Sequence, residues 1–217
     1  MIQTISMNIV NNMCEDIQMN SRRAGLLGAP GNGKSTLVSD YCNKDKRNRG
    51  VVKMGKSFKI LNLYERIYKI FLPDKTNVPN SVYEITMQVS DFMDKSNDKF
   101  LLVVDECGKL KSETLEYMHE FMECTVSNCG FVFSGPHYWR DKLDTWIKLK
   151  KEGIEEFARR LDEFVEIDGP TKSEMAAYCI YMGIQDVEQI EKIIDGCVTF
   201  TDIVNAVRTF LSGKKKK

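Results

Sequence analysis

Residues 28–36 read GAPGNGKST: Gly28, Ala29, Pro30, Gly31, Asn32, Gly33, Lys34, Ser35 and Thr36. Gly28, Gly33, Lys34 and Ser35 occupy the fixed positions of G-x-x-x-x-G-K-[ST], a phosphate-binding loop. Glycines let successive backbone N–H groups turn inward on a phosphate with no Cβ in the way. A helix opening at Lys34 adds its positive N-terminal end. In this pattern Lys34 reaches the β- and γ-phosphates and the Ser35 hydroxyl binds Mg²⁺. ATP with Mg²⁺ is therefore the expected ligand pair.

Such a loop needs a carboxylate at the end of a neighbouring strand. The run FLLVVDE at 100–106 supplies Asp105, placed to hold Mg²⁺ through water. Glu106 beside it is a candidate to orient and polarise a water for attack on the γ-phosphate, which means hydrolysis rather than transfer. Ser134 ends the apolar run FVFS. On a strand between these two it reaches the γ-phosphate or the attacking water; a plain strand-end serine is the alternative.

The elements that must position these residues alternate. Short apolar runs at 24–28, 51–54, 100–106, 130–135 and 163–167 read as strands. Between them lie the helical stretches SFKILNLYERIYKIF, SVYEITMQVSDFMDK and SETLEYMHEFMECTV. In the last, Leu115, Met118, Phe121 and Met122 recur at helical spacing as core packing. Strands alternating with helices predict an α/β fold of the P-loop NTPase kind, a parallel sheet covered on both faces. The character changes at Gly169-Pro170. Thr171 to Glu174 has the form of a capping box, and only helical patterns follow, at 171–182, 186–195 and 199–212. The expected organisation is a nucleotide-binding domain over 1–168, a helical lid over 169–212 and a basic tail over 213–217.

Composition narrows the class. Of 217 residues 42% are hydrophobic and 29% charged, ordinary globular material. The seven cysteines form no C-x-x-C pair and have no histidine set nearby, so zinc is not expected and buried thiols in a reducing cytoplasm are. The N-terminus lacks the basic start and apolar run of a signal peptide, and no apolar stretch is long enough to span a bilayer. Net charge is zero, with 31 basic against 31 acidic residues, but its distribution is uneven. Residues 41–60 hold seven basic side chains against Asp45, net +6, while 91–125 hold nine acids against four lysines, net −5.

Taken in order, the loop, the DE-ended strand, the polar strand end, the basic segment and the helical lid resemble the AAA+ superfamily of ATPases over residues 20–212. Within it, LLVVDECGKLKSETLEYMHEFMECTVSNCGFVFSGPHYWRDKL (101–143) and EEFARRLDEFVEIDGPTKSEMAAYC are similar to the transposition helper ATPases, the kin of the phage Mu B protein. That resemblance implies a ring or helical homo-oligomer on duplex DNA that recruits a transposase. By it, the segment after the second strand lines the DNA-facing bore, and Lys53, Lys56, Ser57 and Lys59 touch phosphates without base readout. The pair Arg159 and Arg160 suits an arginine finger acting in trans, or else surface pairing with Glu155 or Glu156.

The sequence departs from the helper pattern at several points. Cys107 replaces an alanine, Ser134 and His137 compete for the polar strand-end position, and Arg208 comes late in the last helix, where such families carry an arginine early. The phage protein's N-terminal DNA-binding domain has no counterpart in the twenty residues before the loop strand. Two other functions share the loop: a small-molecule kinase, which would not need Glu106, and a nucleotide-dependent interaction switch with slow turnover.

Overall fold

A computed structural model describes residues 2–214, and within them a five-stranded parallel sheet carries the molecule. The strands are β1 (Arg23–Leu27), β2 (Arg49–Lys53), β3 (Phe100–Asp105), β4 (Cys129–Gly135) and β5 (Glu163–Glu166), in the spatial order β2-β3-β4-β1-β5. The three inner strands are buried at every position, and so they read as unbroken apolar runs. The edge strands β2 and β5 are only partly covered, which is why their sequences tolerate Lys53, Glu163 and Glu166.

Two helices cover one face and five the other. Helices α1 (Ile5–Met19) and α2 (Lys34–Asn43) pack on Ala24, Leu26, Leu101, Val103 and Val132. The opposite face carries α3 (Ile60–Phe71), α4 (Val82–Asp94), α5 (Ser112–Cys124), α6 (Tyr138–Lys148) and α7 (Ile154–Arg159). Leu115, Met118, Phe121 and Met122 of α5 are all fully buried there, as their spacing predicts. Phe121 meets Phe131 edge-to-face at 5.9 Å and Phe133 meets Phe157 at 5.0 Å. Such pairs add about 0.5–1.5 kcal/mol each beyond the area they bury.

Past β5 the chain forms α8 (Lys172–Tyr181), α9 (Val187–Ile194) and α10 (Phe200–Lys214), which share a small apolar cluster of their own around Met175, Cys179, Ile190 and Val207. The α8 capping box is formed: the Glu174 N–H bonds the Thr171 hydroxyl at 3.2 Å and the Thr171 N–H bonds the Glu174 carboxylate at 2.7 Å. Of the expected basic tail, residues 215–217 lie outside the described residues; 213 and 214 end α10. All seven cysteines are free thiols, and five are buried. No helix among the described residues is long and apolar enough to cross a membrane.

Candidate functional site

The glycine-rich loop leaves the carboxyl end of β1 and enters α2 at Lys34. Gly31 and Gly33 have φ of +90° and +83°, values that L side chains rarely adopt. Gly28 faces the chain leaving β5, where a Cβ would lie 2.8 Å from the Ile167 carbonyl. The Asn32 side chain, almost fully buried, donates to that same carbonyl at 3.4 Å. These contacts hold the loop open over a cleft of about 350 Å³ lined by Gly33, Lys34, Ser35, Thr36, Asp105 and Glu106, with Pro30 and Gly31 on its rim. Ala29 contributes through its backbone. The Lys34 ammonium donates to the Gly28 and Ala29 carbonyls at 2.6 and 3.0 Å. Burial pushes the Lys34 pKa down from its ordinary value, against the pull of Asp105 and Glu106.

Asp105 ends β3 and is 2% exposed, with no ion-pair partner within 4 Å among the described residues. A buried carboxylate and a serine on the wall of the same cleft are a hard oxygen donor set, and they fit a Mg²⁺ that keeps several waters. Glu106 follows with φ +64° and ψ 39°, a left-handed conformation costing roughly 1–2 kcal/mol for a non-glycine residue. Strain of this kind persists only where the surroundings over-determine it. The carboxylate lies between Lys53 Nζ at 3.6 Å and Lys109 Nζ at 3.2 Å.

The remaining expected residues are placed unevenly. β4 does lie between β1 and β3, and Ser134 shares the α2 face with Val132. Its hydroxyl is fully buried with no hydrogen-bond partner among the described residues, and the cleft wall at this loop is Gly135, Pro136 and Tyr138 instead. His137 turns toward Glu166, with Nδ1 3.8 Å from the carboxylate. Arg159 pairs with Glu155 at 2.6 Å and Arg160 with Glu123 at 3.2 Å, and neither lines the cleft. Lys56, Ser57 and Lys59 are exposed on the loop leading into α3, while Lys53 is held by Glu106. Arg208 lines a separate groove on α10 and not the phosphate cleft.

A second cavity adjoins the loop and was not foreseen from the sequence. About 480 Å³ in volume and mostly apolar, it is walled by Ile2, Thr4 and Met7 before and in α1, Thr36 and Leu37 of α2, and Tyr178, Phe200 and Val204 of the C-terminal helices. The signal was present in α1, where Val10, Met13, Cys14 and Ile17 follow helical spacing and are buried. The C-terminal helices reach the loop directly: the Thr201 N–H bonds the Gly31 carbonyl at 3.2 Å.

With the geometry in hand, comparison with known proteins defines the class. The family described as AAA domain matches residues 20–143, more than half of the chain, and the protein belongs to that family. No curated protein sequence matches it. Among solved structures, the ORC2 protein of Aeropyrum pernix in its ADPNP–ADP complexes is similar at a TM-score of 0.67 and 12% identity, over 94% of this chain and 60% of that one. The Walker-type ATPase PABY2304 of Pyrococcus abyssi is similar at 0.67 and 14%, over 94% and 67%. The A. pernix ORC1 protein in complex with DNA is similar at 0.64 and 8%, over 100% and 62%. The chain thus spans about 60% of the length of both ORC proteins, and at such identities the likeness is one of fold: an AAA+ P-loop NTPase sheet with C-terminal helices.

Proposed function

We propose that the protein is an ATP-dependent, DNA-associated ATPase. The observation that carries this is the convergence of Lys34, Ser35, Asp105 and Glu106 on one cleft at the carboxyl ends of β1 and β3. Loop N–H groups and Lys34 bind the β- and γ-phosphates, and the adjoining apolar cavity takes the base. Ser35 and Asp105 hold Mg²⁺, which supplies neutralisation of phosphate charge when bound. Glu106 accepts a hydrogen bond from the attacking water and takes its proton as the water oxygen bonds the γ-phosphorus and the bond to the β–γ bridging oxygen breaks, releasing ADP and phosphate.

Exposed Lys56, Ser57 and Lys59, in a segment of net charge +6, are the DNA-facing surface, contacting phosphates irrespective of sequence. Arg159 at the end of α7 and Arg160 just past it have exposed side chains, and on this reading one leaves its carboxylate to reach a neighbouring copy's γ-phosphate in a homo-oligomer, a ring or a filament. A transposase partner rests only on the resemblance of residues 101–143 and 155–179. Free buried thiols suit the cytoplasm.

The test is equilibrium binding of a fluorescent ATP analogue with and without Mg²⁺. Lys34→Ala abolishes binding and Asp105→Asn removes its Mg²⁺ dependence. Equal binding by all three proteins overturns the site. A second reading, a nucleotide-dependent interaction switch, is favoured by one observation: Glu106 is held by two lysines, which suits slow turnover until something displaces them.

A further inference from the structure

The turn that carries Glu106 is held from outside the sheet by α6, and nothing in the nucleotide reading accounts for this. Tyr138 and Lys142 stand one helical turn apart on α6 and so share a face. The Lys142 ammonium donates to the Gly108 carbonyl at 3.0 Å and the Leu110 carbonyl at 2.8 Å. Its stem passes the Trp146 ring, with Nζ 4.6 Å from the centroid. The Tyr138 phenol lies directly on Gly108, where a Cβ would come 2.5 Å from the hydroxyl oxygen; a glycine at 108 is what admits it. The turn itself is a single 3₁₀ turn, Cys107–Lys109, closed by Lys109 N–H to the Glu106 carbonyl at 2.9 Å and Leu110 N–H to the Cys107 carbonyl at 3.0 Å. Cys107 anchors its inner side, fully buried with its thiol 3.0 Å from the Val104 carbonyl.

The Lys142 ammonium is spent on backbone carbonyls, as that of Lys34 is in the loop, and not on a carboxylate. Here it satisfies the outward carbonyls of a turn whose first residue is in a left-handed conformation. Burial lowers the Lys142 pKa from its ordinary value, so the contact costs solvation and is held by geometry. Tyr138 has a second exposure: it also lines the phosphate cleft.

We propose that Tyr138 and Lys142 are positioning residues for hydrolysis, a two-point clamp from α6 that fixes the 106–110 turn and thereby the direction in which Glu106 presents its carboxylate to the cleft. The proposal rests on the hydrolysis reading above. Releasing the clamp lets the turn relax and moves the carboxylate away from the water it must orient, while the loop and Lys34, which bind nucleotide, are untouched. A displacement of about 1 Å at a reacting group can cost on the order of 10²-fold.

The experiment compares wild type, Lys142→Met, Lys142→Arg and Tyr138→Phe, each alone and with Glu106→Gln, in ATP-analogue binding and phosphate release. Amide hydrogen exchange of residues 106–110 is measured without nucleotide. Lys142→Met is expected to lower kcat by about 10- to 100-fold, with analogue affinity unchanged within about twofold. The amides of Lys109 and Leu110 should lose protection, and Lys142→Arg should restore part of both. In the Glu106→Gln background Lys142→Met should add no further loss, since both act through one carboxylate. A loss that adds fully to that of Glu106→Gln, or that appears equally in nucleotide affinity, marks a general structural role and overturns the proposal. So does wild-type hydrolysis in Lys142→Met. Wild-type protein that binds ATP yet releases no phosphate sinks the hydrolysis reading, and this proposal with it.

Discussion

Lys53 Nζ lies 3.6 Å from Glu106 Oε1, so the last residue of β2 is tied to the carboxylate assigned to water activation. Lys53 is also the first of the basic side chains expected on DNA. One ammonium cannot serve a DNA phosphate and Glu106 at once, and the register that pairs Lys53 with Asp105 places it beside Glu106.

Removing that tie should free Glu106. Lys53→Ala is expected to raise basal phosphate release in the absence of DNA by about two- to fivefold, the range an exposed ion pair of up to ~1 kcal/mol allows. It should also shrink any stimulation by duplex DNA. Unchanged basal turnover would mean that Lys53 does not restrain the carboxylate.

Lys34 should trade stability for binding. Its native pKa lies below the ordinary 10.5, so the unfolded chain binds more protons and stability rises with pH through the window that ends at 10.5. At neutral pH the charged, half-buried lysine is a cost to the folded chain. Lys34→Met is expected to melt no lower than wild type at pH 7, and the difference should narrow as pH approaches 10.5. ATP with Mg²⁺ at 100 times Kd should raise the wild-type Tm by about 5–10 °C and leave the mutant unmoved. Calorimetry at two pH values checks both.

Glu174 joins the C-terminal helices to the start of α1, accepting from Ile5 N–H at 2.7 Å and from Thr171 N–H at 2.7 Å. Burial alone would raise its pKa, but the bonds from Thr171 and Ile5 carry it below the ordinary 4.5. A depressed carboxylate contributes stability that is present above 4.5 and lost as pH falls through the native value. Glu174→Gln should therefore lower Tm by a few degrees, roughly 2–4 °C per kcal/mol lost in a chain of this size, at pH 7. The gap should narrow as pH falls below 4.5 and close once the native carboxyl is protonated. A gap that persists in acid would assign the effect to packing.

DNA binding should depend on nucleotide and salt. Duplex titrations with ATP at two salt concentrations are expected to show affinity falling steeply with salt, as counterions are released. Lys56→Ala with Lys59→Ala should weaken binding across sequences and flatten the salt slope by up to about two. If the double mutant binds like wild type, this loop is not the DNA surface.

The sheet was legible because its inner strands are buried on both faces. FLLVVD and CGFVFSG leave no room for polar alternation, and the helix-breaking glycines before Lys34 mark the loop. The C-terminal helices were legible from Thr171 and Glu174, whose spacing writes the cap into the sequence. What escaped was long-range. Nothing local says that Ile2 and Met7 wall a cavity with Phe200 and Val204, or that the exposed Lys53 reaches Glu106. His137 and Ser134 were equal candidates by position. Only the path of the chain turns one to Glu166 and buries the other, leaving Tyr138 to line the cleft.

The most direct test of the account is phosphate release by Glu106→Gln set against wild type, with ATP-analogue binding measured on the same preparations. The account predicts equal binding and hydrolysis reduced by on the order of 10²-fold or more. Equal hydrolysis by the two proteins would contradict it.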